Sequence, residues 1–465
     1  MTALPDATTV NPPRPGPRPE PRPEPRPEPR PEPRPGGALL ALSVPNYRRY
    51  LSGQVVSLVG TWMQMVAQGW LALSLGASGT VLGLVTAAQF LPVLLFGAYG
   101  GLLADRADKR RLLIYTQVAS GLLAASLAVA DITGVVQLWM VALIAAGLGT
   151  VNAVDNPTRQ SFVHEMVGPD VVANAVSLQS VAVNAARAVG PGIAGVLIAV
   201  AGTGVCFMVN AASYLAAIVA LIRIDPRSLR RRAPLPRARG QIREGLAYAL
   251  RTPALRVPLV MMAVIGTLAY EFAVVLPLLG REVFHGDAGT YGLLTAAMGV
   301  GAVAGGLIVA RRGRATPRAL VGAAAGFGIV ILAASVAPDV HLAAVAMMLV
   351  GAGSVAFLSI GNATLQLASA PHMRGRIMAL WAVAFLGSTP VGGPTIGWIS
   401  EELGARAGLA TGGLAALLAA GYGARQLLGP AGQSGQSGQP GQPGQPGPAE
   451  DAALPRSGSR SCSPG

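Results

Sequence analysis

The stretch Asn184–Gly195, NAARAVGPGIAG, sets a guanidinium inside a long run of small apolar residues. At 100° of helix per residue, Ser177, Ser180, Asn184, Arg187, Pro191 and Gly195 fall within about 80° of one another. Such a stripe carries polar groups to the middle of the run. Pro191 has no N–H for the carbonyl four residues back, which is that of Arg187 itself, so a helix here bends and leaves a carbonyl beside the cation. A central arginine in a membrane helix costs about 2.5–3.5 kcal/mol on insertion scales unless water or a partner meets it. Two readings of Arg187 stand: a functional cation for substrate, gate or coupling, or one member of a buried structural pair. Asp155 lies too near the end of its own run to reach it. Glu271, in TLAYEFAVV, is the one acid well inside an apolar run. A carboxyl group binds a proton more readily in apolar surroundings and less readily beside a guanidinium. A motion that makes and breaks an Arg187–Glu271 contact would therefore bind and release a proton. The alternative for Glu271 is an idle position in a water-filled vestibule.

Only membrane-spanning elements give these charges such surroundings. The 465 residues are 52% hydrophobic and 12% charged, against about 25% charged in soluble domains. Apolar runs of about 20 residues recur, each long enough to cross a bilayer as a helix. Ten-residue alternating segments are absent, so helices and not a barrel satisfy the backbone. The 60 glycines suit close helix packing in lipid.

About twelve spans of roughly 20–28 residues are expected. They lie near 51–75, 80–103, 112–130, 135–155, 173–200 and 204–223, then 255–279, 289–310, 318–337, 341–363, 376–399 and 407–428. Alternate loops hold the cations: Arg48 and Arg49; Arg106, Lys109, Arg110 and Arg111; Arg159; Arg227, Arg230, Arg231, Arg232, Arg237 and Arg239; Arg311, Arg312, Arg314 and Arg318; Arg374 and Arg376. The other loops hold little beyond Asp131, Arg281, Glu282, Asp287, Asp339, Glu401, Glu402 and Arg406. The bias predicts that both chain ends are cytoplasmic in a plasma (inner) membrane protein. No cleavable signal peptide is read at the start, so the first run is expected to remain as a helix.

The organisation expected is a disordered Pro/Arg/Glu-rich arm over 1–45, a six-helix half over 46–224, a basic linker over 225–253, a second six-helix half over 254–428, and a disordered tail over 429–465. The linker includes IREGLAYALRTP, where Ile242, Leu246, Ala249 and Leu250 share one side. That pattern fits an amphipathic helix on an anionic leaflet, or a plain connector between halves.

The halves repeat. GLLADRADKRR (101–111) faces GLIVARRGRAT (306–316) at an offset of 205, NPTRQ (156–160) faces NATLQ (362–366) at 206, and GPGIAG (190–195) faces GPTIG (393–397) at 203. Three matches in order argue for two related six-helix units. Arg187 has Pro390 as its counterpart, so the repeat keeps Gly-Pro but not the cation.

Two such halves joined by a long basic loop resemble the major facilitator superfamily. GLLADRADKRRLL is similar to that superfamily's loop between helices two and three, G-x-x-x-D-R-x-G-R-R, with Asp108 where glycine is usual. AARAVGPGIAG resembles its fifth-helix antiporter motif, G-P-x-x-G-G, at Gly190, Pro191 and Gly195, with Ala194 at the first of the two final glycines. NYRRYLSGQVVSLVGTWMQMVAQGWL, NPTRQSFVHEMV and REGLAYALRTPALR resemble the branch that contains the enterobactin exporter and multidrug-type exporters. The resemblance covers about 46–428, all but the tails. It implies an all-α, twelve-helix, pseudo-symmetric carrier working by alternating access. It implies a gate built from Gly101, Asp105, Arg106, Lys109 and Arg110, with Asp105 facing the start of helix eleven near Gly375. Arg106 and Arg110 would reach Asp155 or Glu165. Ala310 stands where Asp105 does in the second copy, so the latch is expected to be asymmetric.

Trp62, Gln64, Gln68, Trp70, Gln89, Asn152, Asn210, Asn184, Tyr270, Gln366 and Trp381 are expected on a cavity between the halves. Amides and indoles on apolar walls suit an amphipathic, ring-containing cargo; interhelical hydrogen bonds are the other use of such amides.

Other chemistries lack their motifs. There is no G-x-x-x-x-G-K-[ST] and no G-x-S-x-G. His164–Glu165 begins a zinc motif, but Gly168 stands at the second histidine's place. GVGAVA (299–304) lies mid-span with no strand before it. Cys206 and Cys462 make no metal or disulfide framework.

The expectation is therefore a non-enzymatic, proton-driven exporter of a siderophore, antibiotic or other secondary metabolite. It would act as a monomer in the bilayer with no cofactor, no metal and no nucleic acid. An importer or facilitator of the same fold and a non-transporting receptor or scaffold are the alternatives.

Overall fold

The computed structural model describes residues 37, 39–230, 241–312 and 315–428, and the described part is helical throughout. Most of the arm, the tail, and Arg231, Arg232, Arg237, Arg239 and Arg314 lie outside the described residues. In order, the helices are α1 (Pro45–Ser74), α2 (Gly79–Arg106), α3 (Lys109–Ile132), α4 (Leu138–Met166), α5 (Pro169–Ile222), α6 (Gln241–Arg251) and α7 (Pro253–Ala269). There follow α8 (Phe272–Leu278) with a π turn at Leu279–Val283, α9 (Ala288–Arg312), α10 (Pro317–Ser335), α11 (Val340–Ala368), α12 (Arg374–Leu386), α13 (Thr389–Leu403) and α14 (Ala405–Leu427).

Ten segments are long and apolar enough to cross a membrane, counting α7 through Val283 and α12 with α13 as one each. The long α5 is two spans, turned at Gly202 with φ 85°. A side chain is strained at that φ, so glycine makes the turn. Gly404, φ 88°, makes the corresponding turn between α13 and α14, 202 residues later, close to the sequence repeat. The twelfth span is α1. It falls short of the others in hydropathy because Asn46, Gln54, Gln64 and Gln68 lie on it, all buried against protein.

Local signals set the helix starts. The side chain of Ser78 accepts from the Val81 N–H at 3.4 Å, that of Thr316 from Ala319 at 3.2 Å, and that of Asp339 from His341 and Leu342 at 2.9 Å. Asp108, the departure from the loop pattern, is itself a cap: it accepts from the Arg111 N–H at 3.1 Å. Each cap is worth about 0.5–2 kcal/mol.

Two expected spans are broken. The seventh breaks at Tyr270–Glu271, between α7 and α8, and the eleventh at Gly387–Ser388, between α12 and α13. Both breaks fall in mid-membrane, where irregular backbone is tolerated only inside protein or beside a cavity.

The helix ends define two sides. Residues 45 and 427 end on the terminal side; the loops at 75–78, 202, 284–287 and 404 lie on the distal side. The α2 helix packs extensively on α13, the distal part of the eleventh span, and scarcely on α12, its terminal part. The α5 and α9 helices pack together similarly. The halves are thus sealed distally and parted on the terminal side.

Candidate functional site

The distal seal is made by the two copies of the Gly-Pro repeat. In the first copy a Cβ at Gly195 would lie 3.1 Å from the Gly289 Cα and 3.2 Å from the Ala288 carbonyl oxygen. In the second, a Cβ at Gly397 would lie 2.8 Å from the Gly79 carbonyl carbon, and one at Gly393 3.0 Å from the Gly83 oxygen. Each motif therefore presses one half's backbone onto the first turns of a helix in the other half. Gly190 seats α1 in the same way: its Cβ would lie 2.7 Å from that of Trp62.

Two charged side chains of the second half grip the loop between α1 and α2. The Arg281 guanidinium donates to the Leu73 carbonyl at the end of α1. The Glu401 carboxylate accepts from the Thr80 N–H at 3.1 Å, and the Ser78 hydroxyl also reaches it. A cation at a helix C-terminus and an anion at a helix N-terminus are both favourable.

Beneath the seal lies Arg187. Its guanidinium carbon sits 5.4 Å from the Trp62 ring centroid, and the Tyr270 hydroxyl is within electrostatic reach. The Nε is buried with no hydrogen-bond partner. Tyr270 stands at the break between α7 and α8. Its hydroxyl donates to the Ser354 carbonyl at 2.8 Å, and its ring lies 5.1 Å from that of Phe385 and 5.3 Å from that of Phe327.

Glu271, the next residue, points elsewhere. It is 3% exposed, and its carboxylate lies against Gly392 and Gly393 near the start of α13. A Cβ at 392 would lie 2.7 Å from Oε1, and one at 393 would lie 3.6 Å from Oε2. The Thr389 hydroxyl is within hydrogen-bonding reach, yet Oε1 has no partner. The expected Arg187–Glu271 ion pair is not made. The break turns successive side chains apart, Tyr270 toward Arg187 and Glu271 toward α13.

The other expected cavity residues divide. Gln366 donates to Asn362, and both line a cavity of about 440 Å³ with Leu358, Ser359, Ala363 and Trp381. The indole of Trp381 rests over Gly361. Gln64 instead accepts from Asn210 inside the first half, leaving its own amide nitrogen unpartnered. Gln68 is buried in α1, and Asn184 donates to the Ser180 carbonyl of its own helix at 2.8 Å. Gln89, Asn152 and Trp70 are half-buried. Ser354, Ser359, Asn362 and Thr389 escaped the sequence reading. Asn362 and Gln366 share a face at i, i+4, the one signal that could have found Asn362.

The terminal-side charges also differ from expectation. Glu165 is met by Lys109 at 2.7 Å, not by Arg106 or Arg110. Arg110 caps the end of α5, donating to Leu221 and Ile222 carbonyls at 2.7 Å each. Asp155 is held by Arg159 one turn on, by Thr116 at 2.7 Å and by Gln117 at 3.0 Å. Lys109, Arg110 and Arg111 are consecutive, so helix phase alone decides which cation meets which group. Gly101 and Asp105 lie in the last two turns of α2, with Arg106 exposed at its end. A Cβ at Gly375 would meet nothing within 4 Å, and the side chain that reaches the first turn of α12 is Glu244 of α6, paired with Arg376.

The linker helix α6 docks on the second half. Glu244 pairs with Arg376 at 2.8 Å, and the Tyr248 hydroxyl accepts from the Ala370 N–H at 3.3 Å. On the side that Leu246, Ala249 and Leu250 share, Ala249 is buried while Leu246 and Leu250 are exposed.

The family model for transmembrane secretion effectors matches residues 37–443. The staphyloferrin A transporter of Staphylococcus aureus (strain NCTC 8325 / PS 47) is 24% identical over 267 residues, 56% of this chain. That match spans 66% of the relative's own length, just under two thirds. The multidrug efflux pump Tap of Mycolicibacterium fortuitum is 25% identical over 359 residues, 75% of this chain and 87% of Tap. The crystal structure of a bacterial homolog of the human lysosomal transporter Spinster, inward-facing and unoccupied, superposes with a TM-score of 0.65 at 15% identity. It covers 82% of this chain and 97% of that one. The paired halves, the repeated Gly-Pro seals and the family match agree: the chain belongs to the transmembrane secretion effector family of major facilitator transporters.

Proposed function

We propose that this transporter is a proton-coupled exporter that exchanges a small amphipathic molecule for protons by alternating access. The observation that carries this reading is the placement of Glu271. It is a buried carboxylate with a free oxygen, set where two broken helices meet. One of them, α13, also forms the distal seal with α2. A proton on Glu271 changes what holds the start of α13, and so acts on the seal itself.

The terminal side is cytoplasmic in this reading, both chain ends lie inside the cell, and the sealed side faces out. The loop arginines support that orientation. Cargo enters from the cytoplasm between the parted halves and meets Trp381, Gln366 and Asn362 on the way to Tyr270 and Arg187. A proton arriving at Glu271 from outside favours the return. The protein works as a monomer in the plasma membrane with the proton gradient as its energy source. A siderophore, antibiotic or other secondary metabolite fits the apolar, amide-studded cavity.

The test is made in two stages. Mass spectrometry of cells and spent medium, with and without the intact gene and with or without iron, identifies the retained metabolite. That metabolite is then followed in proteoliposomes under an imposed pH gradient. Glu271→Gln should abolish uphill transport while leaving downhill exchange within about threefold, because the neutral amide keeps the shape without the proton. Normal uphill transport by the variant would overturn the coupling.

A further inference from the structure

Arg187 is a cation at mid-membrane depth with no anion of its own. Ion pairs join Lys109 to Glu165, Arg159 to Asp155 and Arg376 to Glu244. None reaches Arg187, and its Nε is buried without a partner. Trp62 offers a ring face, which attracts a cation but does not neutralise it. The Tyr270 hydroxyl is no anion, and it donates its hydrogen bond to the Ser354 carbonyl oxygen. Glu271, the intramembrane acid nearest in sequence to that tyrosine, is turned away to α13.

A desolvated guanidinium is retained where a partner with good geometry meets it. Nor does the fold require this one, because the matching position in the second half is Pro390. No group among the described residues neutralises this half-buried side chain, so water or an anion from outside the chain meets its outer nitrogens. A guanidinium offers a planar fork of donors that fits a carboxylate or related oxyanion with two parallel hydrogen bonds. The Trp62 ring lies against that fork, 5.4 Å from the guanidinium carbon, and the Tyr270 hydroxyl is within electrostatic reach.

We propose that Arg187 is the anchor for an anionic oxygen group on the cargo, so that the cargo is a ring-containing anion. The anchor rests on the reading of this chain as a carrier and names the class of its cargo. The anion binds Arg187 by two charge-assisted hydrogen bonds while its ring system lies against Trp62 and Tyr270. Neutral analogues of the same shape leave the cation unmet and are rejected.

Binding to the full-length protein tests this without any transport step, so it stands or falls separately from export and proton coupling. The purified chain in phosphatidylcholine nanodiscs is melted with 2-naphthoate, 2-naphthalenesulfonate or the neutral 2-naphthamide. At least one anion should raise the Tm of the wild type, with half-saturation at least tenfold lower than for the amide. Arg187→Gln should lose that preference, and its own unloaded Tm should be no lower than that of the wild type. Arg187→Lys keeps the charge but not the fork, and should keep the preference with about tenfold weaker half-saturation. Equal shifts by anion and amide, no shift by either anion, or an undiminished anion preference in Arg187→Gln would each overturn the assignment. A parallel series with phosphatidylglycerol separates a headgroup from cargo. Stabilisation by that lipid that depends on Arg187 and removes the naphthoate shift would assign the anchor to lipid instead.

Discussion

Glu271 and Gly392 act as a pair. The carboxylate has room only because position 392 lacks a side chain: a Cβ there would lie 2.7 Å from Oε1 and closer still to the Thr267 carbonyl oxygen. Gly392→Ala should therefore destabilise the protein by about 1–3 kcal/mol, the usual cost of overpacking, and should abolish pH-driven transport. Gly421→Ala is the control. Nothing lies within 4 Å of a Cβ there, and alanine in a helix is better than glycine by about 0.5–1 kcal/mol. Thermal melts and vesicle transport of the two variants decide; a Gly392→Ala protein that melts and transports like the wild type would rule out the close fit. Arg187 and Glu271 were both legible in the sequence, because a charge inside an apolar run has few uses. Their partners were not. Pairing depends on which way each side chain turns, and at Tyr270–Glu271 the chain leaves the helix with no glycine or proline at either position to announce it.

Among the elements, the spans themselves were legible because hydrophobic length and loop charge are one-dimensional signals. The break in the seventh span was not, since it lies within an apolar run that reads as continuous, whereas Gly387, Ser388, Thr389 and Pro390 mark the break in the eleventh and only the length of the flanking apolar runs concealed it. The distal clamp was hidden for another reason. Arg281 and Glu401 read as loop charges in the sequence, and only the fold brings them to opposite ends of the same short loop. Each contact joins a charge to a helix terminus of opposite sign, and the Arg281 contact, at an exposed side chain, is worth about 0.3–1 kcal/mol. Both are made only while the distal side is sealed. Combining Arg281→Ala with Glu401→Gln should shift the balance toward the distally open state, by roughly 2- to 5-fold from the Arg281 contact at 1.4 kcal/mol per factor of ten and further from the loss of Glu401. Spin labels at Ser74 and Glu402, both exposed on the distal side, would report this in a background lacking Cys206 and Cys462. The double variant should gain a longer-distance population, and an unchanged distance distribution would show that the clamp does not hold the seal.

At the scale of the whole molecule, the internal repeat becomes a pseudo-symmetric joint. GPGIAG and GPTIG occupy equivalent places: the first closes α5 on α9, the second closes α13 on α2. The matched glycines were visible in the sequence as a spacing, but their use across the interface was not, because a small residue can equally serve packing within one half. If the joint is symmetric, equivalent insults must have equivalent effects. Gly195→Val and Gly397→Val each place a branched side chain where the opposing backbone lies within about van der Waals contact, at a cost of about 1–3 kcal/mol. That cost falls on the distally sealed state and is relieved when the halves part, so each variant should favour distal opening by about 5- to 150-fold. A cysteine at position 68, buried on α1 in the distal half of the span, would report opening through its rate of modification by a membrane-impermeant maleimide. Both variants should speed modification to a similar degree, and the pair together should speed it further, since the sites lie on different helix pairs and add as independent terms. Acceleration by Gly397→Val alone would mean that only the α2–α13 seal governs access and that the α5–α9 contact, Arg187 included, stays closed through the cycle.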